Sequence, residues 1–145
     1  DSIEFMVSLN PGEEIRPLRK VASGGEIARI MLAIKAVLAE RDDVPTFIFD
    51  EIDVGISGQA AARVGDKLCA LAEHHQVFCI THLPQVAARG TTHLFVEKSV
   101  HQGRTRTSVR TLSPEERAEA LARMLAGTEI DETSRMYAQK LLERK

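Results

Sequence analysis

The stretch TFIFDEIDVGISG, residues 46–58, decides how the rest of the chain is arranged. It opens with four residues that favour extended structure, just after Pro45, which predicts a strand buried on both faces. The strand runs into Asp50 and Glu51, and Asp53 follows within one turn, so adjacent carboxylates lie at the carboxyl edge of a sheet. Ligands collect at that edge in open α/β sheets, and a cation or proton relieves crowded carboxylates. The stretch therefore predicts a Mg²⁺-nucleotide site.

Length and composition narrow the class of protein. The chain has 145 residues, 43% of them hydrophobic, which predicts one folded domain over 1–145. A net charge of −2 gives no global attraction to nucleic acid or anionic membrane. No apolar run approaches the roughly 20 residues that a membrane span needs, and the polar start is no signal peptide. These features predict a cytoplasmic protein.

A long helix is predicted within VASGGEIARIMLAIKAVLAE, residues 21–40, because its apolar residues recur at helical spacing and leave little polar surface. We therefore expect a largely buried helix. Ser23 and Glu26 form an S-x-x-E capping box at its start. Capping leaves Gly24 and Gly25 unexplained, since each costs up to about 1 kcal/mol in a helix relative to alanine. Close approach of a phosphate to the helix N-terminus is the alternative that explains the glycines.

A second strand and its helix complete a parallel unit. Gly55, Ser57 and Gly58 connect the first strand to a helix over about 59–74, and QVFCIT, residues 76–81, predicts another buried strand. Strand, helix and strand in this order imply a right-handed crossover and parallel neighbours. His82 then follows the second strand at the same sheet edge as the carboxylates. There a histidine can contact a phosphate or hold an attacking water.

The flanking segments carry less chemistry. Residues 3–9 alternate as a half-buried strand that ends at residues 10–12, and 13–22 read as a polar loop. An antiparallel hairpin is predicted beyond Gly90, around a turn at 101–103. Helices are predicted from Ser113 to Gly127 and over about 131–144. The last helix has an expected packing face of Met136, Tyr137, Leu141 and Leu142.

One face of the second hairpin strand carries three arginines, because residues two and four apart share a face of a strand. They are Arg104, Arg106 and Arg110. Such a stripe can meet phosphate, but edge strands are commonly charged to discourage pairing. A solvated edge is the preferred interpretation.

Three motifs in this order resemble the second half of an ABC-type ATPase head. They are Ser23-Gly24-Gly25-Glu26 (signature motif), Asp50-Glu51 (Walker B with its catalytic glutamate) and His82 (switch histidine). The longer strings VASGGEIARIMLAIKAVLA, FIFDEIDVGISG and THLPQVAA are similar to the RecN family, bacterial DNA-repair relatives of the structural-maintenance-of-chromosomes (SMC) proteins. The resemblance covers about residues 3–140. It implies an α/β fold: a mainly parallel sheet flanked by helices, with the antiparallel hairpin at one edge.

The resemblance also implies a role for each matching residue. Asp50 would hold Mg²⁺ through its water shell, Glu51 would orient or deprotonate the water that attacks the γ-phosphate of ATP, and His82 would contact that phosphate. The signature residues, Ser23, Gly24, Gly25 and Glu26, would meet the nucleotide of a second head, so that two heads sandwich ATP. The D-loop would comprise Val54, Gly55, Ile56 and Ser57. Ser57 departs from the aspartate of many ABC ATPases.

The chain has no G-x-x-x-x-G-K-[ST] phosphate-binding motif. In the family this Walker A motif belongs to an N-terminal half, separated by a coiled coil. The resemblance therefore implies that 1–145 is the C-terminal lobe of a head, inactive alone, and that its partners are the N-terminal half, a second head and DNA. It further implies a bacterial, nucleoid-associated protein acting in double-strand-break repair and recombination.

Two other functions remain open from the residues themselves. Asp50, Glu51 and Asp53 can form a metal-dependent nuclease or phosphatase site, which needs no Walker A motif. A non-catalytic dimerisation module is the second. Asp53 is equally compatible with a third metal ligand and with a turn-forming aspartate, and the turn is the preferred interpretation.

Overall fold

The centre of the fold is a parallel pair of strands joined by a helix. The computed structural model describes residues 3–8, 11–21, 23–41, 43–101, 103–127 and 129–143. Strand β3 (Thr46–Phe49) pairs in parallel with β4 (Gln76–Cys79), and Phe49 lies opposite Cys79. Helix α3 (Gly58–Ala72) connects them. The predicted parallel unit is confirmed, and the carboxyl ends of both strands lie at one edge.

Only one face of this strand pair is covered within the described residues. Phe49 and Ile52 are buried together with Leu32 of the preceding helix and Leu71 of α3. On the opposite face three side chains are exposed: Ile48 (71%), Phe78 (40%) and Ile80 (59%). The prediction of a strand buried on both faces was therefore wrong for this chain. The run is apolar on both faces, as in strands that are buried on both faces, but the described residues cover only one face.

Helix α2 (Gly24–Leu38) begins where the sequence predicts, and a 3₁₀ turn follows at Ala39–Arg41. Its capping box is confirmed: the Glu26 amide donates to Ser23 Oγ at 3.4 Å, and the Ser23 amide donates to Glu26 Oε2 at 2.7 Å. The expected burial is wrong, since Gly25 and Leu32 are the helix residues that are buried. A stripe along the helix is 38–45% exposed. It consists of Ile27, Met31, Ile34 and Leu38.

The first residues form less regular structure than their alternation predicts. Strand β1 is only Met6–Val7 and pairs antiparallel with β2 (Arg16–Pro17), and a short helix α1 (Leu18–Val21) follows. Ile3 and Phe5 are exposed, so the prediction of a half-buried strand was partly wrong. The prediction of a polar loop over 13–22 was also partly wrong, because β2 and α1 lie within it. Five predicted positions lie outside the described residues: Leu9, Asn10, Ala22, Gln102 and Arg144.

The predicted hairpin is present as a sheet of its own. Strands β5 (Leu94–His101) and β6 (Arg104–Thr111) pair antiparallel along their full length. The register places Arg104, Arg106 and Arg110 on one face, as predicted, and β6 is exposed throughout. Arg110 is paired with Glu116 at 2.6 Å and lies over the Phe95 ring. Arg110 is therefore engaged with an acidic neighbour, which sets it apart from the other two arginines of the stripe.

The C-terminal helices make a second, smaller core. Helix α4 (Pro84–Ala87) follows β4, and α5 (Pro114–Ala126) packs on α6 (Glu132–Glu143). Ala138 of α6 is buried in this core, and Ser134 is also buried. Met136 and Tyr137 are about half exposed, so the predicted packing face of α6 was partly wrong. Leu141 and Leu142 do pack against this core. In the part of the chain that is described, no helix is long and apolar enough to cross a membrane.

Candidate functional site at the strand edge

The candidate site is built on the acidic turn, residues 50–57, between β3 and α3. Asp50 and Glu51 are both exposed, directly beyond the end of β3. The Glu51 amide donates to Asp50 Oδ1 at 2.9 Å, so this contact orients the Asp50 carboxylate and leaves Oδ2 for another partner. Glu51 has φ of 58°, a left-handed conformation that costs a residue with a side chain about 1 to 2 kcal/mol. Strain of this kind is typical of functional turns.

The start of α2 lies directly against the acidic turn. A Cβ on Gly25 would meet the carbonyl oxygens of Glu51 and Val54, each at 3.0 Å, and a Cβ on Gly24 would meet Glu51 Oε2 at 3.1 Å. The need for glycine at position 25 therefore comes in part from the protein's own backbone, whereas Gly24 meets only the end of a side chain. Nucleotide contact at the signature residues remains a prediction. Ser23 and Gly24 are the exposed members of that motif, and Gly25 is buried.

Arg29, one turn along α2, fastens the helix to the same turn. Its Nη1 donates to the carbonyl oxygen of Val54 at 2.8 Å and of Ile52 at 3.2 Å. Hydrogen bonds from a charged donor are worth roughly 1.5–3 kcal/mol. The position of the acidic turn is thus fixed from the α2 side by Arg29.

Asp53 is 2% exposed, unlike the exposed Asp50 and Glu51. Its Oδ2 accepts from Thr81 Oγ1 at 2.5 Å and from the His82 amide at 3.0 Å, and it lies 3.2 Å from His82 Nδ1. Burial opposes the charged form, but the hydrogen bonds from Thr81 and His82 and the nearby His82 ring hold the pKa of Asp53 below its ordinary value. Asp53 therefore ties the acidic turn to the end of β4.

The remainder of the acidic turn leads into α3. Val54 is 47% exposed, Gly55 has φ of 77°, and Ile56 is partly buried against the core. Ser57 is the N-cap residue of α3, but its side chain makes no capping hydrogen bond. Three of these four residues of the predicted D-loop, Val54, Gly55 and Ser57, are exposed, and their role in a head dimer remains a prediction.

Asp50 fits a metal held through water better than a metal held by a protein cage. Its carboxylate is exposed, and the Glu51 amide engages only one of the two oxygens. Within the described ranges, no group of three or more histidine, cysteine or acidic side chains could hold a metal ion. Asp53 points to Thr81 and His82 instead. The three-carboxylate nuclease or phosphatase site thus finds no support in this geometry.

Two features of the site were missed from the sequence. The Asp53 contact with Thr81 and His82 joins residues 28 and 29 positions apart, and Arg29 reaches 25 positions along the chain. A parallel register that aligns the two strand ends was the available signal for the first. No local pattern distinguishes Arg29 from a solvated arginine on the same helix.

The relatives found by comparison with known proteins share one name, DNA repair protein RecN. No family model matches the chain. DNA repair protein RecN of Halalkalibacterium halodurans is 48% identical over 143 residues, RecN of Bacillus subtilis is 45% identical over 143, and RecN of Treponema pallidum is 51% identical over 142. These alignments cover 98–99% of this chain but only 25% of each relative. The chain thus spans about a quarter of their length.

A solved structure supports the fold. This structure is described as "Structural biochemistry of ATP-driven dimerization and DNA stimulated activation of SMC ATPases". One of its chains superposes on this chain with a TM-score of 0.55. It is 18% identical and covers 86% of this chain and 81% of its own length. At this identity the likeness concerns the fold alone, and it confirms the predicted α/β class.

Proposed function

We propose that this chain, whose sequence places it in the RecN family of DNA repair proteins, is the C-terminal lobe of an SMC-like ATPase head. The observation that carries the proposal is the strand edge itself. Exposed Asp50 and Glu51 follow β3, His82 follows the parallel neighbour β4, and Asp53 links the two ends. Phosphoryl transfer to water needs such positioned charges more than covalent chemistry by the protein.

Each side chain at the edge has a role that its surroundings permit. Asp50 would hold Mg²⁺ through water, using the oxygen that the Glu51 amide leaves free. Glu51 would orient or deprotonate the attacking water, and His82, with 71% of its side chain exposed, would contact the γ-phosphate. Bound Mg²⁺ supplies charge neutralisation for the phosphate oxygens. The reaction is hydrolysis of ATP by the complete protein.

Two further surfaces complete the site in this proposal. The N-terminal half of the same head would bring the Walker A motif and cover the exposed strand face formed by Ile48, Phe78 and Ile80. A second head would present its Ser23 and Gly24 to the nucleotide. Its Gly25, packed on the acidic turn, and its Glu26, in the capping box, would hold the start of the helix in place. The residues Val54–Ser57 would line the dimer interface. DNA binding and repair of double-strand breaks belong to the complete protein.

The apolar surface supports assembly with further protein rather than function as an isolated module. The stripe on α2, defined above by Ile27 to Leu38, and the strand face lie on elements that build the site. Solvent contact of such side chains costs roughly 25 cal/mol for each Å² left uncovered. Because the chain has no G-x-x-x-x-G-K-[ST] phosphate-binding motif, we expect this lobe alone to lack ATPase activity.

The test is a Glu51→Gln change in the complete protein. The amide keeps the size of the side chain and loses its basicity, so ATP turnover should fall at least about 100-fold. ATP-driven pairing of heads, measured by sedimentation or light scattering, should persist because binding groups are retained. The matched control is Glu40→Gln, on the 3₁₀ turn after α2, which should retain full turnover. Undiminished hydrolysis in Glu51→Gln would overturn the proposed function.

A further inference from the structure

Asp53 is more deeply buried than its place in a turn requires. The backbone carbonyl of Asp53 already accepts the Ile56 amide at 3.4 Å, and any residue can make that turn contact. The side chain is 2% exposed, and burying a carboxylate is costly unless donors compensate it. Turn formation therefore does not explain why a carboxylate is buried at this position. The donors that contact it do.

The donors around Asp53 fix how the β4 end is arranged. Thr81 Oγ1 donates to Asp53 Oδ2 while it accepts the Leu83 amide at 3.0 Å, so its hydrogen is committed to the carboxylate. The His82 amide donates to the same oxygen. Thr81, His82 and Leu83 are consequently held in one backbone arrangement by a single buried oxygen.

The contact with the imidazole favours one of the two ring nitrogens as the one available to a ligand. His82 Nδ1 lies 3.2 Å from Asp53 Oδ2, an oxygen that is an acceptor only. An acceptor at this distance favours a hydrogen on Nδ1, which leaves Nε2 as the nitrogen available to a ligand. A carboxylate that orients a functional histidine in this way acts through that histidine.

We infer that Asp53 is the positioning residue that orients His82 for ATP hydrolysis, by holding its Nδ1–H and backbone amide while Nε2 faces the nucleotide. This inference rests on the proposed function, because it concerns the same site. Asp53 touches neither metal nor water in this role. It stands apart from Asp50 and Glu51, although the three acids lie within four positions.

The experiment is a double-mutant cycle on kcat in the complete protein, with Asp53→Asn, His82→Ala and the double variant. Asparagine keeps the shape and one oxygen for the Thr81 and His82 donors but lacks the charge. Each single change should lower kcat about 10- to 100-fold, with KM for ATP nearly unchanged. If Asp53 acts through His82, Asp53→Asn should add less than about threefold in the His82→Ala background.

Control variants separate positioning from folding and from metal binding. Thr81→Ser keeps the hydroxyl and should retain kcat, whereas Thr81→Val removes a donor and should lower it. The Mg²⁺ concentration for half-maximal rate should not change in Asp53→Asn. An additive effect in the His82→Ala background, or a raised Mg²⁺ requirement, would overturn the inference. Full turnover in His82→Ala together with loss in Glu51→Gln would overturn the inference alone and leave the ATPase standing.

A nucleotide-independent measurement separates the two failures. In the complete protein labelled with ¹⁵N-histidine, the His82 signal is assigned by its loss in His82→Ala. The neutral ring should be mainly the Nδ1–H tautomer, and Asp53→Asn should shift the population toward Nε2–H. A wild-type ring that is mainly Nε2–H would contradict the Asp53 contact even if ATP is hydrolysed. The expected tautomer would support the Asp53–His82 contact, but not its role in hydrolysis, if Glu51→Gln still turned over ATP.

Discussion

The inner and outer sides of the acidic turn differ in almost every physical respect. On the inner side, Ile52 and Asp53 are 0% and 2% exposed, and both are held by partners from other elements. On the outer side, Asp50 and Glu51 are exposed, and Glu51 is held in a left-handed conformation. The fixed side determines where the open side lies. A functional carboxylate needs such support, because its own contacts must stay available for a ligand.

The largest effect on this arrangement should come from Gly25→Ala. The new Cβ would lie 3.0 Å from the carbonyl oxygens of Glu51 and Val54 and from Arg29 Nη1, so backbone must shift. Overpacking of this kind costs about 2 to 3 kcal/mol. Hydrogen exchange of the Val54 and Ile56 amides, which donate inside the acidic turn, should accelerate about 30- to 100-fold.

Gly24→Ala is the matched control for that change. Its Cβ would meet only Glu51 Oε2, at 3.1 Å, and the end of a side chain can move aside. Alanine also favours a helix by up to about 1 kcal/mol over glycine. Exchange in the acidic turn should therefore stay within about threefold of the parent protein. Equal acceleration in both variants would show that the inner and outer sides are not separately held.

A smaller effect is expected when Arg29 is replaced by leucine. The change removes the donor to the carbonyls of Ile52 and Val54. Val54 can recruit water, whereas the carbonyl of buried Ile52 is harder to satisfy, so the cost is about 1 to 2 kcal/mol. Exchange at Val54 and Ile56 should accelerate about 5- to 30-fold.

Arg63→Leu supplies the comparison for Arg29→Leu, because Arg63 is an exposed arginine on α3. It loses the same charge without removing a donor to the acidic turn. Exchange at the turn should be unchanged in that variant. If Arg63→Leu accelerates exchange as much as Arg29→Leu does, loss of positive charge, rather than the two hydrogen bonds, controls the turn.

The parts of the site that sequence predicts are those set by local chemistry or by strand order. The Ser23–Glu26 capping box needs only four consecutive residues, and it forms as expected. The shared edge of Asp50, Glu51 and His82 follows from parallel neighbours. The partnership of Asp53 with Thr81 required the packed turn itself, since an aspartate suits an exposed turn equally well.

Burial was predicted less well than secondary structure, for a related reason. Ile34 and Ile48 stand in patterns that predict a covered position, and both are exposed on this chain. Periodicity reports which side of an element is apolar, but it carries no information about which segment covers that side. This chain spans a quarter of the length of its relatives, and its described residues have apolar faces that no described segment covers.

The smallest predicted effect concerns strain on the outer side, tested by Glu51→Gly with Glu51→Ala as its matched control. Both variants lack the carboxylate, and they differ in the cost of the left-handed conformation at φ of 58°. Glycine adopts it freely, so Glu51→Gly should be more stable than Glu51→Ala by about 1 kcal/mol, even after the greater chain entropy of glycine. Exchange at Val54 should then be about fivefold slower in the glycine variant. Equal exchange would mean that the turn relaxes once the carboxylate is gone. Slower exchange would instead show that the inner contacts impose the left-handed conformation on residue 51 even without the carboxylate.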